Sequence, residues 1–198
     1  MTDGTRAKLL EAAFREVYAR GFQAASLTEI LRDTGLTKGA LYHHFSCKRT
    51  LGLAVVEEAI RERLETNVFR PLEEAERPVR TLLEMWDDKL RSLDDDTIKH
   101  GCPLNNLIQE MSPMDVEFRA RLGAILTRWQ EVLGRALRRG QAQHDIRADI
   151  DCDVTALFIL AAWEGCWGIA KSQQSASAFR LCLARLQDYV RGLCPADS

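Results

Sequence analysis

The chain has 198 residues, of which 46% are hydrophobic and 28% charged, and a formal net charge of −2. This length accommodates one small domain and one larger core-forming domain, and the near-neutral total excludes a uniformly basic nucleic-acid coat protein. No apolar run approaches the length of a membrane span and no secretory signal pattern is recognisable, so we expect a cytoplasmic protein without membrane contact. The six cysteines form no CxxC pair, which predicts free thiols and no metal site.

Charge is distributed unevenly along the chain. Residues 1–50 contain eight Lys/Arg against five Asp/Glu, a net charge of +3, whereas the remaining residues carry a net charge of −5. An N-terminal part attracted to phosphate and a C-terminal part repelled by it would orient the molecule on DNA.

Three helices are predicted within the first 45 residues. The first carries an apolar stripe and stops at Gly21. Ser26 is a typical N-cap residue, and Glu29 three positions later completes the pattern of a capping box for the second helix. Gly35 can adopt the left-handed backbone that ends this helix, and Thr37 offers an N-cap for the third. The stripe of the first helix comprises Leu9, Leu10, Ala13, Phe14 and Val17.

The third helix has an outward face suited to DNA. Leu41 and Phe45, four residues apart, are its apolar pair and are expected to face inward. Gly39 and Ala40 permit close backbone approach, and the other side chains offer a cation, a hydroxyl and imidazoles to phosphates and base edges. A helical hairpin inside an ordinary α domain is the alternative. The outward chemistry favours a helix-turn-helix, which places its second helix in the major groove.

Residues 37–48, reading TKGALYHHFSCK, resemble the DNA-binding signature of the TetR (TetR/AcrR-like) family of bacterial repressors. The resemblance extends over roughly residues 5–65. It implies an all-α protein with an N-terminal three-helix helix-turn-helix domain over residues 1–50 and a helical effector-binding and dimerisation domain over residues 51–198. It further implies a transcriptional repressor that binds a palindromic operator in double-stranded DNA as a homodimer and is released by a small-molecule effector.

By the same resemblance, the DNA-binding residues divide into two roles. Base edges carry the sequence information, whereas phosphate contacts set position. The residues expected to contact phosphates or lie near the DNA backbone are Thr28, Thr37, Tyr42 and Lys48. Those expected closest to base edges are Lys38, Gly39 and His43, and the remaining candidates on this helix are Ala40 and His44.

Almost all of the remaining chain is predicted to be helical. Ser46 is the expected N-cap of a long fourth helix that continues to about Leu64, and Pro71 and Pro78 bracket the next break. The acidic run over residues 92–96 is expected to be a solvated loop.

Two later helices are expected to begin at turns that contain proline. Gly101-Cys102-Pro103 opens one of them, and Ser112-Pro113 opens a long one. The last two helices are expected over residues 153–171 and 177–193.

These last two helices are candidates for a dimer interface. The first carries small residues at helical spacing, which let another helix approach closely, and the second carries an apolar stripe. Periodicity alone does not distinguish a four-helix interface between subunits from the core of a monomer. Recognition of DNA by one short helix favours the dimer, because two half-sites are needed for useful affinity. The candidate dimerisation residues are Ala161, Gly165, Gly168, Leu183, Leu186 and Val190.

Large side chains of the C-terminal part are candidates for a ligand pocket. Core packing would account for each of them, but four tryptophans are hard to pack without voids, and cavities between helices are where bundles bind small molecules. We therefore expect an apolar or aromatic effector. The candidate ligand-binding residues are Trp86, Cys102, Met111, Phe118, Trp129, Trp163 and Trp167.

Cys102 is the most specific signal in this part of the chain. Pro103 fits the first helical position, which places Cys102 at the N-cap, where backbone amides and the helix dipole favour a thiolate. With Lys99 and His100 nearby, such a thiol can become reactive. Residues 97–104 also resemble the Gly-Cys segment of TetR-family repressors that sense electrophiles and oxidants. The alternative is a cysteine that caps the helix and packs as a small apolar group.

An enzyme or a metal-binding protein is a remote alternative. The four histidines and many carboxylates form no recognisable nucleophile–base arrangement, and neither an HExxH motif nor a phosphate loop occurs. The acidic residues over 145–153 lack the glycine and the distal glutamate of a calcium loop. We therefore assign no catalytic residue, cofactor or metal ligand.

Overall fold

Every regular element over residues 2–195, the part of the chain that the computed structural model describes, is a helix. By Cα packing the chain forms two units. The N-terminal unit extends to Arg63 and includes Pro103–Ile125, and the second unit comprises Leu64–Cys102 and the chain from Leu126 onward. The helices of the described residues are α1 (Thr2–Arg20), α2 (Leu27–Thr34), α3 (Lys38–His44), α4 (residues 48–74), α5 (Pro78–Arg91), α6 (Asp95–His100), α7 (Pro103–Met111), α8 (Val116–Ala142), α9 (Cys152–Gln173) and α10 (Ala176–Arg191).

These units do not separate at residue 50, where the sequence indicates the end of the DNA-binding domain. Instead, α4 continues past that point and residues 103–125 pack with the N-terminal unit. This packing was not predicted from the sequence, because the segment lies far along the chain from the helices it joins.

The N-terminal unit is built around α1, which packs against α2, α3 and α4. Leu9 and Ala13 of α1 and Ile30 of α2 are buried, as is the apolar pair Leu41 and Phe45. Because this pair anchors the inner face of α3, the opposite face is left to solvent.

The turn between α2 and α3 has the predicted geometry. Gly35 has a left-handed backbone with a φ of 66°, and Thr37 Oγ1 accepts a hydrogen bond at 3.2 Å from an amide in the first turn of α3. The two caps end one helix and begin the next within three residues, which fixes the direction of α3 behind α2.

The start of α2 agrees with the predicted capping box in one half only. Ser26 Oγ accepts a hydrogen bond from the Glu29 amide at 3.4 Å. The Ser26 amide, however, donates to Glu16 of α1 at 3.1 Å. Glu29 instead forms an ion pair with Arg32. The predicted reciprocal hydrogen bond, from the Ser26 amide to the Glu29 side chain, is therefore wrong.

The long fourth helix begins one residue later than predicted and ends later. Its N-cap is Cys47 and not Ser46, because the Cys47 amide donates to Thr50 Oγ1 at 3.1 Å in a reciprocal box. The helix contains two π-helical segments and runs through Pro71 to Glu74. The proline stands at the start of the last α-helical segment, where a missing amide costs least.

Two helices begin at positions other than those predicted. In the acidic run over residues 92–96, Asp94 is the N-cap of α6, and its carboxylate accepts a hydrogen bond at 2.8 Å. The long helix α8 begins at Val116 and not at Ser112, since Asp115 accepts hydrogen bonds from its first amides. In both places an aspartate side chain caps the helix.

In the second unit, α9 and α10 pack on each other, while α9 also packs on α6 and α10 on α5. Ile159 of α9 and Phe179 and Leu183 of α10 are almost completely buried between these helices. The inner faces of α9 and α10 therefore form the core of this unit.

The helix α9 is long and apolar enough, by length and composition alone, to cross a membrane, with a mean hydropathy of 1.3 over its most apolar window. No such segment was expected from the sequence. Of that window, 39% is buried inside the protein, and core helices of soluble proteins have the same composition.

Candidate DNA-binding surface and effector unit

The outer face of α3 is a continuous exposed surface of the N-terminal unit. Tyr42, a large aromatic side chain, is 52% exposed. The helix contains no acidic residue, and its Lys38, Tyr42 and His43 side chains are exposed. The predicted DNA contacts that are exposed are Thr28, Thr37, Lys38, Gly39, Tyr42 and His43, and those that are half-buried are Ala40, His44 and Lys48.

Lys48 is already bonded within the protein. Its Nζ donates a hydrogen bond to the Gln23 carbonyl oxygen at 2.8 Å and lies 5.1 Å from the centre of the Phe22 ring. An ammonium group has three donors. The bond to Gln23 therefore holds the turn before α2 and leaves further donors of the ammonium group, a structural contact that was not expected from the sequence.

A second feature of this unit that the sequence analysis missed is Cys47. Its side chain is exposed at the N-cap of α4, directly before Lys48. Hydrogen bonds from Thr50 hold the pKa of the Cys47 thiol below its usual value. The signal in the sequence was Thr50 three residues after the cysteine, in the position of a capping-box partner.

Three of the four tryptophans form one aromatic cluster with Phe179 of α10 in the second unit. Trp86 stacks on Trp163 with ring centroids 5.8 Å apart, and Trp163 meets Trp167 edge-on at 5.9 Å. Trp167 packs against Phe179 at 4.1 Å. The structure thus brings these three predicted ligand residues together, whereas Trp129 packs against Phe69.

Two other predicted ligand residues belong to the N-terminal unit. Met111 and Phe118 are both buried there. The Phe118 ring packs against Phe22 with 4.8 Å between centroids. Their grouping with the tryptophans was based only on their position late in the sequence, and the structure assigns Phe118 to the core that supports the helix-turn-helix.

Cys102 lies beside a buried carboxyl group. Its thiol donates a hydrogen bond to Glu164 Oε1 at 3.4 Å. Burial raises the pKa of Glu164 to about 7, although the hydrogen bond from Cys102 opposes this shift. Lys89 is close enough to interact electrostatically with Cys102, and burial lowers the pKa of its ammonium. Lys89 also lies 5.2 Å from the centre of the Trp167 ring.

The polar neighbours of Cys102 therefore differ from those expected. Lys99 and His100 were expected from their position in the sequence, and the structure adds Lys89 and Glu164 from other helices. Since α5 and α9 are far apart in sequence, residue spacing could not indicate that these groups would meet.

Three other cysteines are disfavoured as thiolates. Burial raises the pKa of Cys152 and of Cys194. Burial, together with the neighbouring Cys182 thiol, raises the pKa of Cys166 to about 12.

The predicted dimerisation residues are exposed on α9 but buried on α10. On α9, Ala161, Gly165 and Gly168 are exposed. On α10, the side chains of the predicted stripe point into the core of their own subunit, so their assignment to an interface is corrected. These buried residues are Leu183, Leu186 and Val190. The exposed apolar residues of the two helices, which the sequence analysis missed, are Val154, Leu157, Phe158, Ile169, Leu181 and Tyr189.

The sequence matches two family models. The model described as bacterial regulatory proteins of the tetR family matches residues 9–55. The model described as the tetracyclin repressor-like C-terminal domain matches residues 78–186.

Relatives and solved structures agree with these matches. The transcriptional regulator AcuR of Cereibacter sphaeroides is 30% identical over 79% of this chain and 72% of its own length. The HTH-type transcriptional repressor DhaR of Mycobacterium sp. (strain GP1) is 29% identical over 81% of this chain and 79% of its own length. Regulatory protein TetR from Rhodobacter sphaeroides aligns with a TM-score of 0.82 at 25% identity, covering 92% of this chain and 97% of that chain. The reduced form of E. coli NemR, at 22% identity and a TM-score of 0.80 over 93% of this chain and 96% of that chain, shows the same fold.

The exposed recognition helix and these matches define the class of protein, a DNA-binding transcriptional regulator and not an enzyme. The chain belongs to the TetR family, whose members bind DNA, typically as homodimers, and respond to small molecules.

The buried Glu164 carboxyl predicts a measurable pH dependence of stability. Its pKa in the folded protein, about 7, lies above the ordinary value of 4.5. Between these values the folded protein holds a proton that the unfolded chain has lost, so this group makes the free energy of unfolding decrease as pH rises. Glu164→Gln should remove that decrease and be more stable than wild type by roughly 2–3 kcal/mol above pH 7.

Urea denaturation at a series of pH values between about 4.5 and 8 measures this difference. Glu62→Gln, which replaces an exposed carboxylate of α4, is the control and should run parallel to wild type. A Glu164→Gln profile parallel to wild type would show that the carboxyl is not a buried titrating group.

Proposed function

We propose that this regulator is a cytoplasmic repressor that binds a palindromic operator in double-stranded DNA as a homodimer. In this proposal α3 of each subunit enters the major groove, and a small-molecule effector bound in the second unit releases the DNA. The exposed, acid-free face of α3 carries the proposal. The repressor assignment is supported by the relative DhaR, which is named a transcriptional repressor.

The division between positioning and reading that the family signature implies is part of this proposal. Lys38, Gly39 and His43 are exposed, as contact with base edges requires. Tyr42 and Lys48, with Thr28 and Thr37, are proposed to contact phosphates or the DNA backbone.

Substitution of the base-reading residues should change sequence preference. His43→Ala should weaken binding to the operator mapped beside the gene by roughly 5- to 150-fold, equal to about 1–3 kcal/mol, because one base contact is lost. Lys48→Ala should weaken binding to every duplex and reduce the salt slope by about one, because a phosphate contact is lost. Footprinting and binding titrations measure both effects.

Arg70→Ala, in an exposed residue of α4, is the control for loss of positive charge and should leave operator affinity unchanged. An altered operator preference in Lys48→Ala at unchanged affinity would contradict the assigned roles.

The dimer is supported by the outer face of α9 and α10. Leu157 is 52% and Leu181 67% exposed, and other large apolar side chains lie on the same two helices. Such a surface is typical of a protein–protein interface. Gly165 and Gly168 have no atom within 4 Å of an ideal Cβ position, so the subunit alone does not require glycine there. A closely packed partner helix would require it.

Gly165→Leu therefore separates folding from assembly. We expect the variant to fold, because the space around Gly165 is open in the subunit, while its dimer dissociation constant rises by at least about 10-fold, equal to about 1.4 kcal/mol. Sedimentation equilibrium measures the constant.

Gly123→Leu is the matched control, since Gly123 of α8 is also in open space, and its dimerisation should equal that of wild type. Normal dimerisation of Gly165→Leu would place the interface elsewhere.

A second candidate function is effector sensing by covalent modification of Cys102. It is supported by the position of the half-buried thiol, which is hydrogen-bonded to Glu164 and interacts electrostatically with Lys89. Added bulk at such a site must displace its neighbours. An effector, covalent or not, changes operator affinity only if it binds one arrangement of the recognition helices better than another.

Modification by N-ethylmaleimide tests this candidate. The experiment uses Cys47→Ser protein, because Cys47 is exposed in the DNA-binding unit and its modification could block DNA directly. We expect the reagent to lower operator affinity of this protein at least about 10-fold, and to leave the Cys47→Ser/Cys102→Ser protein unaffected, since serine also caps helices but is not a comparable nucleophile.

Mass spectrometry identifies the modified cysteine, and binding titrations measure the affinity. Equal loss of affinity in both proteins would make Cys102 structural. A reversible effector held by Trp86, Trp163 and Trp167 would then be the preferred model.

A further inference from the structure

The turn between α1 and α2 is held by a carboxylate from a distant part of the sequence. Glu110 of α7 accepts hydrogen bonds from two consecutive backbone amides, Phe22 N to Oε2 and Gln23 N to Oε1, both at 2.8 Å. A carboxylate has two acceptor oxygens and no donor, which is what two neighbouring N–H groups require. Gly21 allows this approach, because its φ of 81° is left-handed and a Cβ there would lie 2.9 Å from Glu110 Oε2.

The same turn is held from its other side by α4 and α8. Lys48 Nζ donates to the Gln23 carbonyl oxygen at 2.8 Å, so the peptide groups on both sides of Gln23 are bonded. The Phe22 ring packs against Phe118 and occupies the space that a Cβ on Gly52 would need. Three helices outside the helix-turn-helix therefore determine the conformation of the turn.

This turn leads directly into the helix-turn-helix. Gln23 is three residues before Ser26, the N-cap of α2, and α3 follows α2 after a short turn. A change of direction at Gln23 therefore moves α2 and α3 together. The helix α7 that carries the carboxylate also packs on the segment Val55–Ile60 of α4, and its first residue, Pro103, directly follows Cys102 of the second unit.

We propose that Glu110 is a positioning residue for operator recognition: by binding the amides of the α1–α2 turn, it makes the orientation of α3 depend on α7. Long side chains can follow a phosphate through a small change of orientation, whereas hydrogen bonds to base edges need a set geometry. Glu110 therefore acts on sequence discrimination more than on the general attraction to DNA. The proposal concerns the effector-free protein and does not depend on the role of Cys102.

Glu110→Ala removes both acceptors, and Glu110→Gln keeps the volume but supplies one acceptor in place of two. Each variant is titrated with the duplex that wild-type protein selects from random-sequence DNA and with an unrelated duplex. We expect Glu110→Ala to bind the selected duplex about 10-fold or more weakly, because the competent orientation is only fractionally populated, and Glu110→Gln to lose less. Affinity for the unrelated duplex and the salt slope should stay unchanged, because the phosphate contacts remain.

Hydrogen exchange of the Phe22 and Gln23 amides reports the two bonds themselves and should be faster in both variants. Gln109→Ala, in an exposed neighbour on the same helix, is the control and should leave exchange and both affinities unchanged. Unchanged exchange, or unchanged affinity for the selected duplex, would overturn the proposal. Equal loss of affinity for both duplexes would overturn it as well, because that pattern marks a merely structural role. If Glu110→Ala does not fold, Glu110→Gln is judged by the same ratio.

Discussion

The helix packing of the N-terminal unit depends on the contact of Phe22 with Gly52 and Phe118. The Phe22 and Phe118 ring centroids lie 4.8 Å apart. A Cβ on Gly52 would overlap the Phe22 ring and lie 2.9 Å from Phe118 Cζ. Glycine at this one position lets α4 and α8 close on the same ring at the density of a protein interior. Because Phe22 lies between α1 and α2, the contact joins the helix-turn-helix to a segment far along the chain.

The second unit places polar groups where they are costly to bury. Glu164 lies next to the Cys102 thiol, and its burial raises its pKa to about 7. Lys89 is held over the Trp167 ring. An apolar side chain in place of the carboxyl would avoid the cost of removing it from water. Retention of such groups beside stacked indoles is typical of a site where a ligand binds, which supports the proposed effector site.

The helix α9 is apolar on all sides, which accounts both for its exposed apolar face and for its similarity in composition to a membrane helix. A helix that is apolar all round has to be covered all round, and within the subunit α10, α6 and Trp86 of α5 cover its inner face while the opposite face stays exposed. A second copy of the same surface would cover Leu157 and Phe158 and make close approach at Gly165 useful. Composition alone does not separate a membrane from a partner subunit, but the glycines in open space favour a closely packed helix.

Signals that act within a few residues were sufficient to predict the helix-turn-helix. Gly35 and Thr37 cap neighbouring helices through their own backbone, and Leu41 and Phe45 share a face by helical geometry. On α10, by contrast, apolar residues occur on both faces, so the sequence could not tell the buried Leu183, Leu186 and Val190 from the exposed Leu181 and Tyr189. The hydrogen-bond partners of Glu110 and Glu164 were likewise identified only from the tertiary structure. Those hydrogen bonds join residues far apart along the chain, and the spacing of residues in a sequence carries no information about which distant groups the packing of helices brings within reach.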